Sequence, residues 1–319
     1  MRTAEVALLL LVAVSITFAR DKRAEAEALF ARANSALGLV GIAKGHLSMA
    51  DVRAGGVNQP KEGTFLMAVL SDDISRWEIN LPGYSEVVVR NGKRRWTRRN
   101  AGFTPLRIVR LLDALPPRLE IKAHEKVERV TEEKFGATEA KCVKLGAQSW
   151  IREVCVDATT GLPLRQNFSG LQVDYGGYYA FGDKQFPRNV RVREAGNLVA
   201  EFSLDSLSTD LPDKSLFDPL QDALFCDDLT KTKPPVPVWT PDPYYPEAVR
   251  RARVQGVVVL QTVIDEQGHA SNLVVIRSLD PSLDGEAKAA VSKWRFRPAM
   301  CGDTPTSVEM KVEVAFRLY

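Results

Sequence analysis

The last eighty or so residues leave little choice of local structure. From Ser307 to Arg317 two kinds of side chain alternate: Val308, Met310, Val312, Val314 and Phe316 against Glu309, Lys311, Glu313 and Arg317. A period of two marks a strand with one buried side and one wet side. Upstream, Val257–Asp265 is rich in β-branched residues, Glu266-Gln267-Gly268-His269 is a short turn, and Asn272–Arg277 returns, so the two runs read as a hairpin. A helix is expected to start at Pro246, where a missing N–H does no harm. Glu247 in its first turn and Arg250, Arg251 and Arg253 near its end suit the helix dipole, and Gly256 breaks it. Leu283, Ala287, Ala290, Val291 and Trp294 share a helical spacing that predicts a second helix over Asp284–Trp294, closed by Pro298. The order is αββαβ.

That ordered set resembles the C-terminal domain of the TonB family. The matching residues are Tyr245-Pro246, the Arg253-x-x-Gly256 helix exit, the strand with its Gly268 turn, and Trp294-x-Phe296-x-Pro298, within about Val236 to Tyr319. The resemblance implies a small periplasmic domain whose last strand offers a free edge to a short peptide of an outer-membrane receptor. Carried onto this chain, that edge is Ser307, Val308, Glu309, Met310, Lys311, Val312, Glu313, Val314, Ala315, Phe316 and Arg317. It further implies a part in energy-coupled transport across the outer membrane.

Export is the expectation from the N-terminus. Met1-Arg2 precedes an apolar run, Val6–Ala19, which as a helix would be roughly 21 Å long against a hydrocarbon core of roughly 30 Å. Small residues at Thr17 and Ala19 predict a signal peptide, residues 1–19, and a periplasmic protein. The competing reading is an uncleaved inner-membrane anchor facing the periplasm. An exported chain with four cysteines suggests disulfides. If Gln148-Ser149 is a two-residue turn, Cys142 faces Cys155 across a hairpin; Cys226 and Cys301 are then left to each other, with reduced thiols as the alternative. No CxxC spacing exists and the three histidines are scattered, so no metal site is expected. A net charge of +3, with ten cations and ten anions balanced over residues 241–319, gives no argument for nucleic acid.

Between the N-terminus and the C-terminal module the chain is strand-rich. Residues 24–35 read as an amphipathic helix and Pro105–Leu115 as another. Strand-like runs are expected at Ile42–Arg53, Gly63–Leu70, Arg76–Leu81, Glu86–Arg90, Arg94–Arg99, Ile121–Thr131, Thr138–Lys144, Trp150–Asp157, Pro163–Phe168, Val173–Phe181, Phe186–Arg193 and Leu198–Leu207. This spacing predicts one large curled antiparallel sheet with covering helices. The fold class is therefore α+β: a half-barrel-like domain over 24–212, a Pro-containing linker over 213–239, and the αββαβ module over 240–319, the two domains folding independently. The stretch Asp157-Ala158-Thr159-Thr160-Gly161-Leu162-Pro163, the tyrosine-rich Asp174–Phe181 and Phe186-Pro187-Arg188 resemble the LolA/LolB-like periplasmic lipoprotein carriers. That resemblance implies lipid or lipoprotein acyl chains as ligands. Asn91-Gly92 reads as a two-residue hairpin turn, and Arg90, Lys93, Arg94, Arg95, Trp96, Arg98 and Arg99 around it suit contact with anionic headgroups.

No Gly-x-Ser-x-Gly, His-Glu-x-x-His or Walker loop is present, so no enzyme and no cofactor are expected. Three functions remain: a TonB-like transducer, a lipid or lipoprotein carrier with a TonB-like accessory module, and a structural envelope protein that makes protein contacts.

Overall fold

The computed structural model describes residues 22–318, apart from positions 51, 54, 55, 58, 116, 148, 149 and 169. The expected signal peptide or anchor lies outside the described residues. The chain divides into two compact units: one runs up to Leu39 and resumes over Leu111–Ser203, and the other combines Val40–Arg110 with Leu204–Tyr319. Among the described residues an antiparallel sheet of thirteen strands dominates, and its order has two ends, so it is open.

In the first unit the helix 22–36 places Ala26, Phe30 and Ala33 on one face, with Leu37 just beyond, at the spacing a buried stripe requires. These residues pack on Val143, Leu145, Val154, Val156 and Leu162 of the sheet. Asn34 fixes the helix to the chain at Leu119, donating to its carbonyl at 2.7 Å and accepting its N–H at 2.9 Å. The strands are Lys126–Phe135, Thr138–Ala147, Trp150–Asp157, Pro163–Phe168, Leu171–Phe181, Lys184–Glu194 and Asn197–Ser208, each paired with the next, the last of them running beyond the unit's end at Ser203. Sequence placed the first of them five residues early; the chain from Ile121 to Glu125 instead forms a turn in which Lys122 N–H bonds the Glu125 carboxylate. Glu125 is fully buried and takes both forks of Arg152, at 3.0 and 2.9 Å. Tyr175 and Tyr178 lie inside the unit, and burial pushes both phenols above their ordinary value. Tyr178 donates to the Pro163 carbonyl at 2.7 Å.

In the second unit the large-sheet strands are Gly41–Met49, Lys61–Ser71, Ile74–Leu81, Tyr84–Asn91, Arg94–Arg99 and Leu224–Cys226, each hydrogen-bonded to the one before. The hairpin turn expected at Asn91-Gly92 falls one residue later. Asn91 pairs with Arg94, and Gly92, at φ +61°, takes the first central position of the turn, where glycine is required for a II′ geometry.

The C-terminal module in this unit has the expected order of helix Glu247–Arg251, strands Gly256–Ile264 and Ala270–Arg277, helix Pro281–Val291 and strand Val308–Phe316. The second helix starts three residues before the expected position. Asp280 caps it by accepting the Ser282 N–H at 2.9 Å, and Pro281 follows at the first helical position. The helix buries Leu283, Ala287 and Val291 against Val258, Leu260, Ile264, Val312, Val314 and Phe316. Two short ribbons had no counterpart in the sequence reading: Val236–Trp239 with Arg295–Arg297, and Ala299–Cys301 with Thr304–Thr306.

Candidate peptide-binding edge

The small sheet of the C-terminal module has the order Ala270–Arg277, Gly256–Ile264, Val308–Phe316, so the last strand lies at an edge. Its register runs from Gly256 opposite Phe316 to Ile264 opposite Val308 without a bulge. Val312, Val314 and Phe316 are buried, while Lys311, Glu313 and Ala315 point outward, as the alternation requires. Among the described residues, the ladder to Gly256–Ile264 is the one pairing this strand makes. An edge strand carries a row of N–H and C=O groups that another chain can extend. The opposite edge, Ala270–Arg277, is approached by Val52–Arg53 of the same unit.

The residues that carried the resemblance each have a structural task here. The Tyr245 ring stands edge-on to Phe316 at 5.5 Å, and its hydroxyl donates to the Val254 carbonyl. Arg253 adopts φ +54° where the chain leaves the first helix. Gly268 adopts φ +81°, and a Cβ there would stand 1.8 Å from the Phe296 carbonyl oxygen, so the turn passes directly over the Arg295–Arg297 strand. Trp294 donates from its indole to the Pro241 carbonyl at 3.1 Å, and its ring lies 6.3 Å from that of Phe296. These contacts fix the frame from which the edge strand is presented.

Glu309 has a role that the sequence did not announce. Its carboxylate accepts the backbone N–H of Leu106 at 2.7 Å, at the start of helix Leu106–Asp113. That N–H has no partner within its own helix, and a carboxylate there also complements the helix dipole.

The seven residues read as a headgroup surface do not share one exposed patch. Lys93, Arg94 and Arg98 are exposed. Arg90 pairs with Asp73 at 2.9 Å. Arg99 donates to the Ala101 and Gly102 carbonyls and lies 3.9 Å from the buried Glu86, which accepts from Tyr84 at 3.0 Å and Thr104 at 2.5 Å. Burial, and next the Glu86 charge, push the Tyr84 phenol above its ordinary value. Arg95 turns inward to reach Cys301 Sγ at 3.0 Å, and burial pulls its pKa down. Trp96 stacks obliquely on Phe225 at 5.2 Å. The reason is the strand Leu224–Cys226, which pairs along Arg95, Trp96 and Thr97.

The cysteines pair as Cys142–Cys155 and Cys226–Cys301. Cys142 and Cys155 are directly opposite in the register of their strands, and Ala147 opposite Trp150 leaves two residues between the strands. That intervening turn, Gln148-Ser149, lies outside the described residues. Cys226–Cys301 ties the strand beside Arg94–Arg99 to the C-terminal module. The segment expected as a linker is hydrogen-bonded along much of its course: Asp213 and Asp228 cap short 3-10 turns, Leu229 N–H bonds the Lys93 carbonyl at 2.8 Å, and Lys233 exchanges two backbone bonds with Met300.

Among solved structures the chain is similar to a LolA superfamily protein from Nitrosomonas europaea, with 10% identity, 60% of this chain and 97% of that chain covered, and a TM-score of 0.42. It is also similar to MucB, with 18% identity, 85% and 98% covered, and a TM-score of 0.33. A curated relative, Protein TonB of Xanthomonas campestris pv. campestris strain B100, is 35% identical over 77 residues. The match spans 24% of this chain and 34% of that relative, so about two thirds of the relative has no counterpart in it. The family match falls on the module built above: residues 241–318 match the C-terminal domain of the Gram-negative bacterial TonB protein.

Proposed function

We propose that this chain is a periplasmic, TonB-like envelope protein that captures an extended segment of an outer-membrane receptor by adding it to Val308–Phe316. The single observation that carries the reading is the position of that strand: last in the order of a three-stranded sheet, with its ladder among the described residues on one side, within a segment that matches the TonB C-terminal family. Backbone hydrogen bonds along the edge supply most of the affinity, and pockets for alternate side chains supply selectivity. The nine-residue register runs without a bulge, so the edge groups alternate regularly along the strand. In this reading the protein contributes to energy-coupled transport across the outer membrane, and it needs no cofactor. The test is an amide NMR titration of the chain from Arg20 onward with peptides from receptor N-termini. Shifts concentrated at 308–316 are expected. Shifts that cluster on Ala270–Arg277 or on the large sheet, or their absence with every receptor peptide, overturn the proposal.

A further inference from the structure

All four residues of the strand Val236–Trp239 are exposed. Val238 is 58% exposed and Trp239 55%, and Tyr244, five positions on, is 66% exposed. Single apolar side chains in water need no explanation, but a group of large ones does. The register explains which face they share. Val236 is opposite Arg297, Trp239 is opposite Arg295, and Pro237 between them is opposite the buried Phe296. Directly opposed residues project from the same side of a ribbon. The outer side therefore carries Val236, Trp239, Arg295 and Arg297, with Val238 pushed out at the register shift.

The two strands of the ribbon and the residues next to them carry cations only, while the acidic residues Asp265 and Glu266 stand in the turn that crosses Arg295–Arg297, and Asp242 follows Trp239 by three positions. The segments 231–239 and 293–301 contain Lys231, Lys233, Lys293, Arg295 and Arg297 and no acidic residue. Among the described residues neither Arg295 nor Arg297 is ion-paired; the Arg295 guanidinium donates to the Lys293 and Trp294 carbonyls, at 3.0 and 2.9 Å. Both arginines are exposed. A surface that combines guanidinium groups outside any ion pair with a protruding tryptophan and valines is matched by a layer that is anionic outside and apolar beneath. Tryptophan and tyrosine favour that boundary because the ring is apolar and the N–H or O–H is not. A soluble polyanion would satisfy the cations and leave Val238 and Trp239 in water.

We propose that the Val236–Trp239/Arg295–Arg297 ribbon seats on the headgroup layer of a bilayer that contains anionic lipid. These residues are separate from the basic hairpin at 90–99 and from the edge strand 308–316. Trp239 and Val238 enter the interface, and Arg295 and Arg297 stand over lipid phosphates. Each cation near such a surface raises binding about fivefold.

The test is vesicle partitioning of the chain from Arg20 onward, which leaves out the apolar run Val6–Ala19, itself a membrane binder in any assay of this kind. Vesicles of phosphatidylcholine alone are compared with vesicles containing about one third phosphatidylglycerol. Binding is expected to be stronger to the anionic vesicles and to weaken with salt. Arg297→Gln should lower it about fivefold and Arg295→Gln/Arg297→Gln about 25-fold. Trp239→Ala should weaken it as well. Brominated lipid should quench the parent's fluorescence more than that of Trp239→Phe. Equal binding to both vesicle types, or binding unchanged by Arg297→Gln and Trp239→Ala, overturns the proposal. So does equal binding to soluble polyglutamate, or self-association that Trp239→Ala abolishes.

Discussion

Removing the Cys226–Cys301 bridge with Cys226→Ala/Cys301→Ala should destabilise the protein more than removing Cys142–Cys155 in the same way. Both bridges are buried, so side-chain burial does not separate them. Loop length does. The first closes a sequence separation of 75 residues and the second one of 13. In the chain-entropy account the constraint on the unfolded chain grows with the logarithm of loop length, giving about 4.5 kcal/mol for the longer loop and about 3 for the shorter. With a urea slope of about 2 kcal/mol/M, the midpoint should fall by about 2 M and about 1.5 M respectively. The two losses also belong to different units, so hydrogen exchange can tell them apart. The first variant should speed exchange in Gly256–Ile264 and Val308–Phe316, and the second in Thr138–Ala147 and Trp150–Asp157. If the shorter bridge proves the more stabilising, or if each variant loosens both units alike, the reasoning from loop closure is wrong.

Gly268→Ala should cost more than the ordinary penalty of about 1–2 kcal/mol for a left-handed residue, because its Cβ would meet the Phe296 carbonyl at 1.8 Å; thermal denaturation reads this, and a loss below 1 kcal/mol would show that the ribbon simply yields. Burial holds the phenols of Tyr84, Tyr175 and Tyr178 above the ordinary tyrosine value of about 10, so their contribution is complete below about pH 10 and is lost as pH rises beyond it, when only the unfolded chain ionises. Absorbance near 295 nm should therefore show these phenols titrating together with alkaline unfolding, and Tyr178→Phe should flatten the pH dependence. Smooth ionisation ahead of unfolding would contradict that burial.

What sequence made legible was local. The alternation from Val308 to Phe316 has only one periodicity, and the runs Trp150–Asp157 and Pro163–Phe168 are bounded by turn residues, so strand limits there coincide with the structure. The helix at Pro281 was begun late because its apolar stripe starts at Leu283, while its cap, Asp280-Pro281-Ser282, lies outside that stripe. Non-local pairing leaves no such mark. Leu224–Cys226 is only three residues long and Val236–Trp239 is interrupted by Pro237, and only their distant partners, Arg94–Arg99 and Arg295–Arg297, make them strands. For the same reason Arg95 read as a solvent cation: the sulfur that it reaches is over two hundred residues away in sequence. The edge position of the last strand was implied by the family resemblance, but the capping task of Glu309 was not, because nothing around Leu106 asks for a carboxylate so far along the chain.

The Glu309 contact also bears on how the last strand keeps its place. Val308, Met310, Val312, Val314 and Phe316 form an unbroken apolar file, so a slide of two residues along Gly256–Ile264 would still turn apolar side chains inward. Hydrophobic burial discriminates weakly between such slides. The outward file is different, because charge alternates along it from Glu309 to Lys311 to Glu313. A slide that brought Lys311 to the position of Glu309 would present an ammonium group to the Leu106 N–H, at the helix end that favours anions. The carboxylate thus acts as an index mark on a strand whose inner face would tolerate more than one alignment.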